Sequence, residues 1–172
     1  KRHFTRVLKG HIKLASTRFP YGTNGAQLDS FARESLWEAG LDYAHGTGHG
    51  VGCFLSVHEE AATLSPKGSR AIEPGMILSN EPGYYEADSH GIRIENLILT
   101  KSCGETLPDG RELLEFETIS LAPIDTRLII IKMMTDDEKT WLNDYHSNVL
   151  NSLSPELDEE CRNWLKHKCV PV

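Results

Sequence analysis

The stretch from His45 to Asn96 constrains this chain more than any other. It runs His45-Gly-Thr-Gly-His49-Gly-Val-Gly, then Val57-His58-Glu59, then Ser79-Asn80-Glu81-Pro82-Gly83-Tyr84-Tyr85, then Gly91-Ile92-Arg93-Ile94-Glu95-Asn96. Histidines, carboxylates and an arginine are interleaved with glycines, which let one backbone approach another closely. Four glycines fall in the eight residues from His45 to Gly52. That density argues against a helix, so His45 and His49 are not a helical ligand pair. Imidazole nitrogen with carboxylate oxygen suits a borderline divalent metal used for hydrolysis. The stretch therefore reads as most, but not all, of a metal-dependent hydrolytic site.

Competing motifs fail on particular residues. The zinc helix motif His-Glu-x-x-His begins at His58-Glu59, but Ala62 stands where the second histidine belongs. The dinucleotide fingerprint begins at Gly46-x-Gly48 and ends on Val51 instead of glycine. A phosphate loop with Lys and Ser/Thr is missing. A single histidine is as easily a hydrogen-bonded core residue as a ligand. Three histidines beside two carboxylates in strand-like settings are harder to explain that way. Glu81 also suits a surface turn, since Pro82-Gly83 follows. Glu95 sits in an apolar Ile-Glu-Asn run, where burying a carboxylate is costly unless it meets a metal or a cation. Arg93 fits an ion-pair role and a direct substrate role equally.

Around this block the chain is helical. Phe4, Val7, Leu8, His11, Ile12 and Ala15 form a helical stripe that starts without an N-cap or an initiator methionine. A chain opening in mid-stripe is expected to be a fragment of a longer polypeptide. Asn24-Gly25-Ala26-Gln27 has the form of a capping box and predicts a helix over 25–39, with Gly40 as a left-handed cap. Strands are expected over Val51 to Val57, Met76 to Asn80, Gly91 to Thr100 and Leu113 to Ile119. Alternation in the third puts Arg93 and Glu95 on one face. Thr135-Asp136-Asp137-Glu138 is a second capping box, and Ser154-Pro155 suits the start of a last helix reaching about Lys168. The order predicts an α+β fold, with residues 1–125 as one unit and 126–172 as a C-terminal helical extension.

Composition narrows the class. At 172 residues, 39% hydrophobic and 25% charged, the chain suits a folded globular unit. A net charge of −7 argues against nucleic acid as a partner. The absence of a long apolar run argues against a membrane partner. Cys53, Cys103, Cys161 and Cys169 form no Cys-x-x-Cys pair, which fits a reduced, cytoplasmic setting. Cys161 and Cys169, on one helix, would stand about 12 Å apart along its axis, too far to bridge. Cys53 is expected to be a small buried apolar residue.

HGTGHGVG, VHE, SNEPGYYE and GIRIEN together resemble the pita-bread metallopeptidases, and within them the cytosolic-type Xaa-Pro aminopeptidases (aminopeptidase P). FTRVLKGHI, FPYGTNGAQLD and the C-terminal WLNDYH extend the likeness over nearly the whole chain. The resemblance implies a curved, mostly antiparallel sheet with flanking helices, here incomplete. It implies that the intact enzyme removes the N-terminal residue from peptides with proline in second position. Two divalent metal ions are implied, manganese foremost, with zinc or cobalt as alternatives. His49, Glu81 and Glu95 match metal ligands, Glu81 serving also as general base or acid. His45 and His58 match histidines that hold substrate and shuttle protons, and Arg93 matches an arginine that orients carboxylates. Tyr84, Tyr85 and His45 are candidates to line a proline pocket. Two further aspartate ligands are expected on a hairpin preceding Lys1, since Asp29 and Asp42 lie in the wrong contexts. This chain alone is therefore expected to bind metal weakly and to be inactive. Trp141, Tyr145 and Trp164 are expected either at a homodimer contact or capping the sheet. The alternatives are an Xaa-Pro dipeptidase (prolidase) and a non-catalytic pita-bread module that binds protein.

Overall fold

The computed structural model describes residues 1–54, 56–59 and 62–172. Helix α1 (Arg2–Ala15) is followed by a short strand β1 (Phe19–Pro20) and by α2 (Gly25–Trp37). The first capping box forms: Asn24 Oδ1 accepts the Gln27 N–H, and Gln27 Oε1 accepts the Asn24 N–H. Gly40 has φ +70°, and the Leu41 N–H reaches back to the Leu36 carbonyl. That closure needs a residue without a Cβ penalty in the left-handed region, which ends α2 as the sequence predicts.

The sheet is antiparallel, in the order β1-β8-β7-β4, with β4 at Ile77–Asn80, β7 at Asn96–Thr106 and β8 at Glu112–Thr118. Ile98 and Leu114, with Phe19 of β1, lie buried against Leu14 of α1 and Leu28 of α2. Two small ribbons extend the sheet: β2 (Gly48–His49) with β3 (Thr63–Leu64), and β5 (Gly83–Glu86) with β6 (His90–Arg93).

Two expected strands differ from what forms. Residues 51–54 and 56–59 make no strand; Leu55 lies outside the described residues. Glu59 Oε2 accepts the Phe54 N–H at 2.6 Å, a local side-chain bond that competes with a ladder. Cys53 is exposed there, contrary to its expected burial. The strand expected from Gly91 to Thr100 is broken into β6 and β7. Opposite the break stands Pro82, which has no N–H to donate, so of the two bonds a pair there could exchange only the one from the Ile94 N–H to the Pro82 carbonyl forms, at 3.3 Å.

At the C-terminal end, α3 (Asp136–Leu153) starts on the second capping box and α4 spans Glu159–Lys168. The cap of α4 is Asp158, whose carboxylate accepts the Cys161 N–H; Ser154–Glu156 is a short 3₁₀ turn instead of the helix start. Lys9 Nζ meets both oxygens of Glu138 at 2.7 Å and ties α1 to the first turn of α3. Leu142, Val149 and Leu165 then bury themselves against Val7 and Leu8 of α1. Tyr145 is also buried, its hydroxyl 2.7 Å from the Ala122 carbonyl, and the Trp141 ring stacks on it. Trp164 stays exposed. Among the described residues no helix is long and apolar enough to cross a membrane.

Candidate active site

A glycine positions His49. A Cβ on Gly48 would lie 1.9 Å from the Ser79 carbonyl oxygen, so only glycine lets β2 lie this close to β4. The same contact brings the His49 N–H to Ser79 Oγ at 3.0 Å. Ser79 in turn donates its hydroxyl to Glu81 Oε1 at 2.9 Å. One serine thus sets the backbone of His49 and the carboxylate of Glu81.

The His49 ring is oriented by its own neighbour. Nδ1 lies 2.9 Å from the Gly50 carbonyl, an acceptor only, so Nδ1 carries the proton. In neutral imidazole Nε2 is then the lone-pair nitrogen, and it lies 3.2 Å from Glu81 Oε1. A lone pair facing a carboxylate is unfavourable without a cation or a proton between them. The second oxygen, Oε2, is 3.4 Å from Arg93 Nη1.

His45 is held the same way. Its Nδ1 donates to the Gly46 carbonyl at 2.8 Å, which leaves Nε2 to accept from the Tyr85 hydroxyl at 3.1 Å. Arg93 Nε donates to that hydroxyl at 2.9 Å. The pKa of Arg93 is raised, first by this bond to Tyr85, with further contributions from the charges of Glu81 and Glu95. His58 completes the group, its ring 3.8 Å from that of His49. His45, His49, His58, Glu81 and Arg93 line one cavity of about 360 Å³, together with Gly46, Gly48, Thr63 and Ser65.

Glu95 stands apart from that lining and is exposed, in the link between β6 and β7. Its place is nevertheless informative. Gly83 pairs with Arg93 and Asn80 with Asn96. Continuing either register through the break sets Glu95 across from Glu81. Like charges directly opposed in a sheet repel, and Arg93 feels both.

Several positioning residues are not evident from the sequence. Arg33 is one: buried in α2, it donates to Asp29 at 2.6 Å, to Asp42 at 2.7 Å, and to the carbonyls of Tyr43 at 2.7 Å and His45 at 2.8 Å. It pins the loop that carries His45. Asp29 and Asp42 are thereby occupied as its partners. Ser79 is another, with nothing in its spacing to mark it. Of the two tyrosines, Tyr85 reaches the cavity residues, whereas Tyr84 packs on the other face of its strand, its ring 4.3 Å from that of His3.

The architecture is that of a metallopeptidase fold. Residues 1–102 match the model of metallopeptidase family M24, and residues 112–172 match the C-terminal region of peptidase M24. The chain belongs to metallopeptidase family M24. It is 46% identical over 179 residues to a probable Xaa-Pro aminopeptidase P of Coprinopsis cinerea, covering 99% of this chain and 28% of that protein. A probable Xaa-Pro aminopeptidase P of Ajellomyces dermatitidis is 46% identical, covering all of this chain and 29% of its own length. Among solved structures, X-prolyl aminopeptidase from Caenorhabditis elegans, described as a cytosolic enzyme with a di-nuclear active site, superposes with a TM-score of 0.90. It shares 37% identity over 99% of this chain and 28% of that chain. An Xaa-Pro dipeptidase from Bacillus anthracis superposes with a TM-score of 0.56 at 28% identity, covering 72% of this chain and 31% of its own. The chain thus spans less than a third of the length of the relatives it matches.

Proposed function

We propose that the chain supplies part of the active site of a metal-dependent aminopeptidase that removes the N-terminal residue from peptides with proline second. The observation that carries this is the convergence of three histidines, Glu81 and Arg93 on one cavity, with His49 Nε2 3.2 Å from Glu81 Oε1. The names of its relatives favour this reading over the dipeptidase one. Residues 1–125 would carry the site, and 126–172 would form the helical extension.

His49, Glu81 and Glu95 would hold divalent metal. Their donor set suits a borderline cation, and the His49 Nε2 lone pair faces Glu81 Oε1 where a cation would relieve them; Glu95 would turn in from across the ribbon. Such an ion supplies Lewis acidity and lowers the pKa of water. Manganese is our first expectation, ahead of zinc or cobalt. Glu81, fixed by Ser79 and Arg93, would accept the proton of the attacking water. His58 would donate a hydrogen bond to the developing oxyanion. His45, kept in one tautomer by Gly46 and Tyr85, would hold the substrate and relay the proton to the departing proline nitrogen. A second copy of the chain would dock on the C-terminal region, where Trp164 is exposed.

Glu81→Gln in the full-length protein tests the reading. Turnover of an Xaa-Pro-Xaa tripeptide should fall by about 10²–10⁴-fold with affinity largely kept, the usual scale for a lost acid–base group. Unchanged turnover would refute the role. Cleavage of an Xaa-Pro dipeptide but not the tripeptide would make the enzyme a dipeptidase. The 172-residue chain by itself should bind manganese weakly by calorimetry. Two tight sites that vanish in His49→Ala would overturn that expectation.

A further inference from the structure

A second cluster of ligand-type side chains lies on the far face of the β5–β6 ribbon. Glu86 and His90 are its last cross-strand pair, next to the tip, so they share a face with Tyr84. His3, in the first turn of α1, packs on that face with its ring 4.3 Å from Tyr84. His3 Nδ1 and His90 Nε2 are 3.0 Å apart. Their rings lie 13° from parallel with centroids 5.2 Å apart, so the nitrogen-bearing edges are the parts that meet. A ligand atom from each of His3, Glu86 and His90 lies within 4.8 Å of the other two. The Ser89 hydroxyl sits 2.9 Å from His90 Nδ1 and orients that ring with Nε2 toward His3.

We propose that His3, Glu86 and His90 form a binding site for a borderline divalent transition metal such as zinc, separate from the catalytic cavity. Two nitrogens on one tetrahedral zinc stand about 3.3 Å apart, given Zn–N distances of about 2.0–2.1 Å. As the rings stand, the two nitrogens point at each other in N–H···N hydrogen-bond geometry, so admitting the ion requires that proton to leave and both rings to turn until their lone pairs meet at the metal. Two imidazoles and one carboxylate favour zinc, nickel or cobalt over magnesium or calcium. The exposed fourth position is left to water.

The site has a structural consequence. It joins α1 to the tip of the ribbon whose other face presents Tyr85 and Arg93. Tyr84 and Tyr85 are consecutive, so their side chains leave opposite faces of one strand. An ion on the Tyr84 face would brace the strand that supplies Tyr85 to His45. Metal here buttresses the catalytic face without touching it.

Cobalt titration reads the site by its d–d absorption. The protein should carry His49→Ala and Glu81→Gln, which remove two of the cavity's ligands, and cobalt binding is read as the difference made by His3 and His90. We expect one equivalent of cobalt, displaced by zinc. Adding His3→Ala and His90→Ala should lower the affinity by more than the about 10–100-fold typical of groups that merely orient ligands. Zinc should raise the melting temperature of the first protein and not of the second, since only binding to the folded state stabilises. All three side chains are at least partly exposed, so a circular-dichroism check separates lost binding from lost fold. Equal cobalt binding with and without His3 and His90, or no spectral change in either protein, would overturn the proposal. The test is independent of any peptidase assay.

Discussion

At the scale of single residues, the site is a set of side chains held by one another. Tyr85 is the clearest case, because its one hydroxyl serves two charged or polar partners: it donates to His45 Nε2 and accepts from Arg93 Nε. Tyr85→Phe removes both bonds and leaves the ring in place. Each is worth about 0.5–1.5 kcal/mol, somewhat more where a charge takes part. In the full-length enzyme kcat/KM should fall by roughly tenfold, each 1.4 kcal/mol being a factor of ten. The folded structure should be little affected, since Tyr85 is 46% exposed. An unchanged kcat/KM would show that His45 and Arg93 need no such link. Conversely, a large drop in melting temperature would make Tyr85 a core residue. The residue types of this site were legible in the sequence, because histidine, carboxylate and glycine in that order serve few purposes. The supports were not. Ser79 and Arg33 act through backbone approach and burial, and neither leaves a spacing in the chain.

At the scale of elements, the helices were read well and the strands less so. Both capping boxes are local, with donor and acceptor three residues apart, so the sequence contains the whole interaction. Strand limits depend on a partner elsewhere. The break between β6 and β7 lies opposite Pro82, which removes one ladder donor from the other strand, and nothing within Gly91 to Thr100 marks it. The site depends on another such non-local contact, between β2 and β4. Gly48→Ala forces a methyl group against the Ser79 carbonyl, which a backbone atom cannot avoid by rotating. Overpacking of this kind costs about 1–3 kcal/mol. We expect Gly48→Ala to lower the urea midpoint accordingly. It should also lengthen the His49–Glu81 approach and so weaken metal binding in the full-length protein. Wild-type metal affinity in a folded Gly48→Ala variant would show that the ligand geometry does not depend on this contact.

At the scale of the whole molecule, one buried histidine links α1, the sheet and α3. His11 is fully buried, and its Nε2 lies 3.2 Å from Asn96 Nδ2 on β7. Asn96 Oδ1 faces the Tyr145 hydroxyl of α3 at 3.2 Å. Asn80 donates to the His11 carbonyl at 3.0 Å. Burial, outweighing its contacts with the Ile94 and Asn80 backbone, lowers the pKa of His11 from 6.5 to about 4. Burial also lowers that of His146, whose Nε2 accepts the Ile124 N–H. Between pH 4 and 6.5 the unfolded chain therefore binds a proton that the folded chain refuses. Stability must rise with pH across that window and fall as the solution is acidified. At 1.36 kcal/mol per unit, His11 alone accounts for on the order of 3 kcal/mol. Urea unfolding from pH 4 to 7 should show this slope, with His11→Gln removing most of it and leaving the smaller share of His146. A slope unaltered in a folded His11→Gln protein would place acid sensitivity elsewhere. The surface ion pairs are a poor alternative source, because the carboxylates with lowered pKa, such as Asp125 at about 2, titrate below this range. The residue that fastens the helices to the sheet would then also set the acid limit of the fold carrying the site.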